Sequence, residues 1–476
     1  MKPLENAIPL AAVALALASG CASTKHLTAS ESLYYTGQYK EAQQAVRSVL
    51  DEEQDPAALE SPEHILDNLY AGSTALMCGE AETAAEDFRR AGEGVAAQDA
   101  AILLSGYPTR AYDATMAANY RALALWMQGD ADATRVAFRL VADAQDKAEE
   151  RNARAIRRDQ DALEKRKNAE EEKDGSANSA KDSGGISETL LGNEKLAAFQ
   201  SDFETWGVYA SYQIPSAWFL DSLFALANAE EANDLEHSSF AARKTLAMAP
   251  SKPATVVYKL AEAVADGKIP RQNLDRIVVV IFENGLGPRI DEQRFDLPVP
   301  FDGAVYNVSL ALPKLVKRDA AYPKIIVRDG PVALGETEPI SDFDRVAVRE
   351  FKGRLPGIVA SQVFEAALKL VGQVAAAKIA EKKGGAGAKF LASLAASAVS
   401  SAITGTDTRH WNYLPKELQA VVLQKPATPK RTISLWTPGG TEPLASVDLS
   451  EKGLSVVYIK VPAPGLSPLV SLLETH

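Results

Sequence analysis

The pattern of apolar residues changes near Asp275, and this change sets the fold class. Before it, small and apolar residues recur at helical spacing between charged positions. After it, β-branched runs appear, beginning with residues 276–282, and Pro or Gly separates nearly all of them. The sequence therefore predicts an α+β multidomain protein, with a helical region over residues 27–274 and an α/β sheet domain over residues 275–476. Further strands are predicted near residues 295–299, 305–312, 324–327, 418–424, 432–436, 444–449 and 455–461.

Charge separates the same two regions. Residues 21–274 contain 26 Lys and Arg against 41 Asp and Glu, whereas residues 275–476 contain 24 against 21. Such asymmetry in charge favours two separate domains. An acidic first half does not favour binding of nucleic acid, because phosphate groups are bound by clustered Lys and Arg. We therefore expect no nucleic-acid partner.

Glycines followed by small and then large apolar residues recur along the helical region. Gly37, Gly79 and Gly129 each stand between two stretches of helical periodicity, and Asn233 occupies the corresponding place in a degenerate fourth copy. Gly or Asn permits the tight turn between paired helices. The pattern favours a solenoid like that of tetratricopeptide (TPR) repeats, although the spacing is uneven. A bundle of helical hairpins is the alternative.

A charged segment over residues 143–192 interrupts this pattern. Glu150 with Arg154, four residues apart, forms the kind of ion pair that supports a solvated helix. Residues 168–185 are rich in Glu, Lys, Ser and Gly, so we expect a flexible loop there. A solvated hairpin and an arm that binds a partner are both consistent with this composition.

A long helical hairpin is predicted as an insertion in the sheet domain, over residues 341–404. Gly384-Gly385 divides it into an amphipathic arm over residues 358–383 and an arm of small, apolar residues over 386–403. The second arm is about as short as a membrane span can be and contains Lys389, so a span is not expected. Packing within the protein and contact with a partner or membrane surface both remain open.

The N-terminus predicts where the protein is located. The apolar run from Ile8 to Ala18 is too short to span a hydrocarbon core, which needs about 20 residues, but it fits a signal peptide. Ser19 and Gly20, followed by Cys21, complete the pattern of a bacterial lipoprotein signal. We therefore predict that residues 1–20 are removed and that Cys21 carries lipid.

Residues 21–26 then form the lipidated tether of a body outside the cytoplasm. Ala22, rather than Asp, follows the cysteine, which favours the outer membrane, with the body in the periplasm or at the cell surface. The only other cysteine, Cys78, has no disulfide partner if Cys21 is acylated.

The sequence contains no arrangement that predicts catalysis. Its five histidines lack the spacing of metal ligands, and no Gly-x-Ser-x-Gly motif occurs. We therefore expect no enzymatic activity, no metal and no cofactor. Two clusters are candidates for binding a protein partner. The first is Trp206, Tyr209, Tyr212 and Trp218, for which packing in the protein's own core is the alternative. The second is Asp407, Arg409 and Trp411, for which an Asp–Arg pair that holds the chain is the alternative.

Short motifs in the C-terminal half resemble a family of largely uncharacterised proteobacterial outer-membrane lipoproteins with a TPR-like N-terminal region. They are Glu283-Asn284-Gly285-Leu286-Gly287-Pro288-Arg289, Leu297-Pro298-Val299-Pro300, Asp407-Thr408-Arg409 with Trp411, and Leu414-Pro415. The resemblance implies no established enzyme activity and a role in envelope assembly. We therefore expect a non-enzymatic periplasmic scaffold that binds a protein segment in the groove of its helical region. A structural subunit of an oligomeric envelope assembly is the alternative.

Overall fold

The structure, a computed structural model, describes residues 24–100, 107–174, 177–382, 405–427 and 431–473. The helices are α1 (Lys25–Tyr34), α2 (Tyr39–Leu50), α3 (Ile65–Met77), α4 (Ala81–Ala100), α5 (Ala111–Met127), α6 (Ala131–Asp146), α7 (Ala148–Asp174), α8 (Ala177–Leu191), α9 (Glu194–Ser201), α10 (Pro215–Ala227), α11 (Ala232–Met248), α12 (Lys252–Ala265) and α13 (Phe343–Lys382). The strands are β1 (Ile277–Asn284), β2 (Arg289–Phe301), β3 (Ala304–Val316), β4 (Ile326–Asp329), β5 (Val332–Glu336), β6 (Glu338–Asp342), β7 (Glu417–Gln424), β8 (Thr432–Trp436), β9 (Ala445–Asp448), β10 (Ser455–Val461) and β11 (Leu469–Leu473).

The chain is a mixed α+β protein in which helices come first and sheets follow, as predicted. Helices α1 to α6 pack as consecutive pairs, and α10 packs on α11. Gly37, Gly79 and Gly129 lie at the turns within the first three pairs with φ of 79°, 77° and 75°, a conformation that glycine adopts without steric cost. The predicted fourth turn position was wrong, because Asn233 lies inside α11 and the turn is formed by residues 228–231. The TPR-like solenoid itself stays a prediction.

The two helices of a pair differ in burial. In α3 and α10 every residue is buried, and α5 is nearly so. Their sequences are small or apolar on all sides, which is typical of a helix covered on more than one face. Their partners α4, α6 and α11 bury only one stripe. We call α3, α5 and α10 the inner helices and α4, α6 and α11 the outer helices.

Two sheets stack beyond the inner helices. The first has the strand order β11-β10-β1-β7-β6, with β1 and β10 parallel and the other neighbours antiparallel. The second has the order β5-β4-β8-β9. Strand β1 is buried on both sides, since Val278, Val280 and Phe282 pack against the second sheet while Val279 and Ile281 share a core with the helices. The predicted helical region and sheet domain therefore pack as one unit with a common core.

Three short strands, β5, β6 and β11, were not predicted. Each has five residues, and two of them begin or end at a glutamate. Such short and partly polar runs lack the alternation that identifies a strand in sequence. The eight strands that were predicted are all present, with ends shifted by a few residues.

A separate cluster of helices surrounds the long hairpin of β2 and β3. Asp302 and Gly303 form its turn with φ of 52° and 79°, as a tight hairpin requires. Helices α8 and α13 pack on this hairpin, with α13 continuing without a break through Pro356. Of the predicted first arm, residues 358–383, all but the last form the later part of α13, and residue 383 lies outside the described residues. The second arm, 386–403, lies outside the described residues.

Helix α13 buries one face within the protein. Val363, Ala367 and Leu370 are among its residues in the core that it shares with β3 and α8. Within the described chain, its stretch Phe343–Lys378 is also long and apolar enough to cross a membrane, by length and composition only, and 44% of the apolar window is buried.

The flexible loop predicted over residues 168–185 was wrong. Helix α7 continues to Asp174 and α8 begins at Ala177. Ile186 and Leu190 of α8 pack into the cluster formed by α13 and the β2–β3 hairpin. The burial that orders α8 thus comes from distant parts of the chain, and the composition of the segment does not reveal it.

Candidate functional site

Three of the aromatic residues named as candidates for binding a partner lie in a loop. Trp206, Tyr209 and Tyr212 belong to the segment between α9 and α10. Each ring faces a cation from the C-terminal half, close enough for a cation–π contact. The pairs and their distances to the ring centroid are Lys317–Trp206 at 4.4 Å, Arg345–Tyr209 at 4.2 Å and Arg349–Tyr212 at 4.9 Å. These contacts hold the loop on the protein's own sheet domain.

Two of the predicted partner-binding tryptophans are interior. Trp218 of α10 and Trp411 each expose 2% of their surface. The Trp411 ring lies 5.6 Å from that of Tyr120 and 5.8 Å from that of Phe88, and its Nε1 donates to Ser73 Oγ at 2.9 Å. Both indoles are therefore occupied by this protein's own residues.

The segment over residues 405–416 covers the inner side of the helical region. The Tyr413 ring stacks on Tyr34 at 3.9 Å, and its hydroxyl is hydrogen-bonded to Ser30 Oγ at 2.8 Å. The Tyr70 hydroxyl donates to the carbonyl of His410 at 3.1 Å. The inner side of the helices, where we expected a groove for a protein segment, is thus covered by the protein itself. The sheet domain packs its apolar residues against this surface.

A buried charge cluster joins the inner helices to the first sheet. Glu283 and Lys460 are register partners on the parallel strands β1 and β10, and each exposes 2% or less. Lys460 Nζ donates to Glu283 Oε2 and to Tyr120 Oη, both at 2.8 Å, and Tyr120 Oη donates to Glu283 Oε2 at 2.8 Å. Each charge is paired and hydrogen-bonded, as burial requires. We call this the paired cluster.

An open cavity of about 140 Å³ lies where the helical region meets α13 and residues 407–409. It is bounded by the end of α4, the start of α5 and the exposed helix α7. Guanidinium groups dominate its charged lining. The lining arginines are Arg110, Arg151, Arg158, Arg354 and Arg409, and the lining aspartates are Asp99, Asp159 and Asp407. We call this site the arginine cavity, and it brings together the predicted residues Asp407 and Arg409.

Each aspartate of the arginine cavity already has an arginine partner. The pairs are Arg151 Nε with Asp99 Oδ2 at 2.7 Å, Arg354 Nε with Asp159 Oδ2 at 3.1 Å, and Arg409 Nη2 with Asp407 Oδ2 at 2.7 Å. Among the described residues, Arg110 and Arg158 have no carboxylate within 4.0 Å. Arg110 exposes only 9% of its surface, and its buried Nε has no hydrogen-bond partner in the described part of the chain.

Two carboxyl groups lie behind the arginine cavity. Asp113 accepts hydrogen bonds from the Tyr107 hydroxyl and from the Arg110 backbone N–H, each at 2.8 Å, and Glu350 accepts from the Ala111 backbone N–H at 2.8 Å. Burial raises the pKa of Asp113 to about 7 and raises the pKa of Glu350 above its usual value. The negative charge of Asp113 near neutral pH is therefore reduced. The site as a whole is suited to an anion.

A second open surface lies between the outer helices α4 and α6, with α5 beneath. It encloses about 290 Å³. Ala114 and Ala118 of α5 form its floor, and Leu140 of α6, an exposed leucine, lines its side. Its charged residues are Arg89, Arg121, Lys147 and Arg151 against Glu93 and Asp143. We call this surface the outer groove, and it shares Arg151 with the arginine cavity.

The sequence singled out Asp407 and Arg409 of the arginine cavity and no residue of the outer groove. The residues of the arginine cavity come from segments far apart in the chain, and the helical region that supplies most residues of both surfaces is acidic overall. Cys21, the predicted lipid attachment site, lies outside the described residues. In the part of the chain that the structure covers, no group of three or more His, Cys, Asp or Glu is placed to hold a metal ion.

Comparisons with protein-family models, with curated proteins and with solved structures found no match for this chain. Any functional conclusion therefore depends on the residues and their geometry.

Proposed function

We propose that the protein is a non-enzymatic scaffold, anchored by lipid on Cys21 to the outer membrane, that binds an acidic protein partner in the outer groove. The predicted lipoprotein signal and the motifs that resemble those of outer-membrane lipoproteins support the location. The observation that carries the binding function is the outer groove, an open, partly apolar surface with a basic rim on a chain of net charge −12.

The outer groove replaces the inner side of the helices as the partner site. The inner side is covered by the 405–416 segment and by the first sheet. The alanine floor allows a helix or an extended segment to approach the backbone of α5 closely, and Leu140 adds apolar area. Of the four cations of the groove, Arg89 is paired with Glu60 and Glu86, and Arg151 is paired with Asp99. Arg121 and Lys147 are therefore the cations that attract an acidic partner and speed its association.

We also propose that the paired helices are TPR-like repeats. The positive φ at Gly37, Gly79 and Gly129 and the consecutive pairing of the helices support this assignment. In this arrangement the sheet domain fills one side of the repeats and leaves the outer helices for the partner.

Site-specific photo-cross-linking in intact cells tests the binding surface. A photoreactive residue in place of Leu140 is expected to cross-link one partner, whereas the same residue in place of Val332 is not. Val332 is also an exposed apolar residue, but it lies on β5 of the second sheet, away from the helices. Equal products from both positions would contradict the proposal. A product containing only a second copy of this chain would instead favour the alternative, a subunit of an oligomeric assembly.

Charge reversal tests the role of the basic rim. Arg121→Glu is expected to reduce the Leu140 cross-link several-fold, because it places a carboxylate against an acidic partner. Arg139→Glu is the matched control, since Arg139 lies on α6 outside the groove and is exposed. An unchanged cross-link in R121E, with folding verified by circular dichroism, would rule out electrostatic recognition here.

Fractionation tests the anchor. Cys21→Ser is expected to move the protein from the membrane fraction to the soluble fraction, since acyl chains supply the membrane affinity. If C21S remains in the membrane fraction to the same extent, the lipid is not the anchor.

A further inference from the structure

We propose that the arginine cavity binds a small organic dianion carrying carboxylate or phosphate groups. This ligand site is separate from the protein-binding role of the outer groove. The inference rests on the charge, the pairing and the size of the cavity.

The charge of the lining favours an anion. Five guanidinium groups face three aspartates, and each aspartate is bonded to one of the arginines. Two guanidinium groups, those of Arg110 and Arg158, therefore have no carboxylate partner among the described residues and are available to a ligand. A guanidinium group presents its N–H donors in a planar fork that matches two oxygens of a carboxylate or phosphate. Two such groups at one cavity fit a ligand with two negative charges.

The position of Arg110 adds a second, independent argument. A buried charge without a partner is strongly unfavourable, so proteins seldom keep one without a reason. Arg110 is nine-tenths buried, its Nε has no hydrogen-bond partner among the described residues, and it lies at the cavity wall. An anion in the cavity supplies the missing partner. The pKa of Asp113, raised to about 7 by burial, lessens the competition of this carboxyl group with such an anion.

The size and the apolar lining define the ligand further. A volume of about 140 Å³ lies below the roughly 300–1,000 Å³ of pockets that hold drug-sized ligands, so the ligand is small. Val95, Pro108 and Ala155 add carbon surface between the charged groups. A short carbon skeleton with anionic ends fits these dimensions, as in a four-carbon dicarboxylate or a three-carbon phosphate ester.

Titration calorimetry on the full-length chain in detergent tests the site. The probes are succinate, glycerol phosphate and, as a monoanion of similar chemistry, acetate, all at constant ionic strength. We expect at least one dianion to bind ten or more times more tightly than acetate, and the dianion that binds identifies the anionic group. Equal affinity for all three probes, or no heat from either dianion, would overturn the proposal.

Variants assign the binding to this cavity. Arg110→Gln and Arg158→Gln are each expected to weaken binding of the dianion at least tenfold. Arg157→Gln is the matched control, because Arg157 is the neighbour of Arg158 on α7 but is exposed and does not line the cavity. Should R110Q fail to fold, R158Q still decides, since Arg158 lies on the exposed helix. Unchanged affinity in R158Q would place the ligand elsewhere.

Discussion

The paired cluster and the arginine cavity are two buried groups of charges built in opposite ways. In the paired cluster, one lysine and one glutamate meet at 2.8 Å, a tyrosine hydroxyl bonds to both, and the site is closed. In the arginine cavity, arginines outnumber aspartates, two guanidinium groups have no carboxylate partner in the described structure, and the site is open. The first arrangement is complete without a ligand, whereas the second is not. Pairing, rather than burial alone, therefore separates a structural charge cluster from a binding site.

Removal of Lys460 is expected to have the largest effect on stability. Lys460→Met leaves Glu283 buried without its cation, which costs about 3–5 kcal/mol in the free energy of unfolding. Denaturant unfolding measures the loss. The double variant E283L/K460M is the control, because removal of both charges should restore a large part of the stability. A loss below about 1 kcal/mol in K460M would mean that the pair is not structural.

Removal of Arg110 is expected to have a much smaller effect. Burial lowers the pKa of Arg110, but the neighbouring Tyr112, Tyr107, Glu350 and Asp113 raise it above its usual value. In ligand-free protein, Arg110→Met therefore loses this attraction and avoids the cost of burying a cation that forms no ion pair among the described residues, and we expect a change below about 1 kcal/mol. Thermal unfolding in a buffer without di- or polyvalent anions measures it. A marked loss of stability in R110M would show that both buried clusters are structural and would remove the contrast between them.

The Tyr413 hydroxyl provides a neutral comparison. Tyr413→Phe removes its hydrogen bond to Ser30 and leaves the stacking on Tyr34, so we expect a loss of about 1 kcal/mol in unfolding free energy. The double variant S30A/Y413F should cost no more than either single change. Additive losses would indicate that the two hydroxyls act separately.

The pair of His237 and Asp221 extends the comparison to a charge that still contacts water. The hydrogen bond from His237 Nε2 to Asp221 Oδ2, 2.9 Å long, raises the pKa of His237 above its usual 6.5. The folded protein therefore binds this proton more tightly than the unfolded chain does. The resulting stability is fully present below about pH 6.5 and is lost as the pH rises through the raised pKa.

We therefore expect the melting temperature to fall between pH 6 and pH 8, and to fall less in His237→Gln. His64 leaves a residual slope, because its hydrogen bond to Asp67 also raises its pKa. An identical pH dependence in H237Q and the unchanged protein would show that His237 is not responsible.

The sequence correctly predicted those strands and turns whose conformation depends on their own residues. In the β-branched run predicted at 276–282, residues 278–282 are buried on both faces of the sheet. Gly37, Gly79 and Gly129 adopt the positive φ that their turns require. The loop predicted at 168–185 failed because α8 is ordered by α13 and the β2–β3 hairpin, which are distant in sequence. The composition of a segment does not reveal that residues distant in sequence will bury it.

The candidate sites were less predictable than the fold. Asp407 and Arg409 were singled out as a polar cluster, and they do line the arginine cavity, but Arg110, Arg158 and Arg354 look like ordinary solvated cations in sequence. Only the packing of α7 and α13 beside the start of α5 brings these three together. The burial of Trp411 was hidden for the same reason, since the surfaces that cover it are contributed by residues near Ser73 and Tyr120. Trp218 is buried as well, which agrees with core packing, the alternative stated for its cluster.

The position of Trp411 and Tyr413 against the first helices has a consequence for biogenesis. During synthesis, the ribosome releases α1 to α6 long before it releases the residues that cover them. A nascent chain at that stage displays apolar helix surfaces with nothing to shield them, which is the condition under which chains aggregate. We expect the growing polypeptide to require a holding chaperone, and any product truncated before residue 405 to be insoluble.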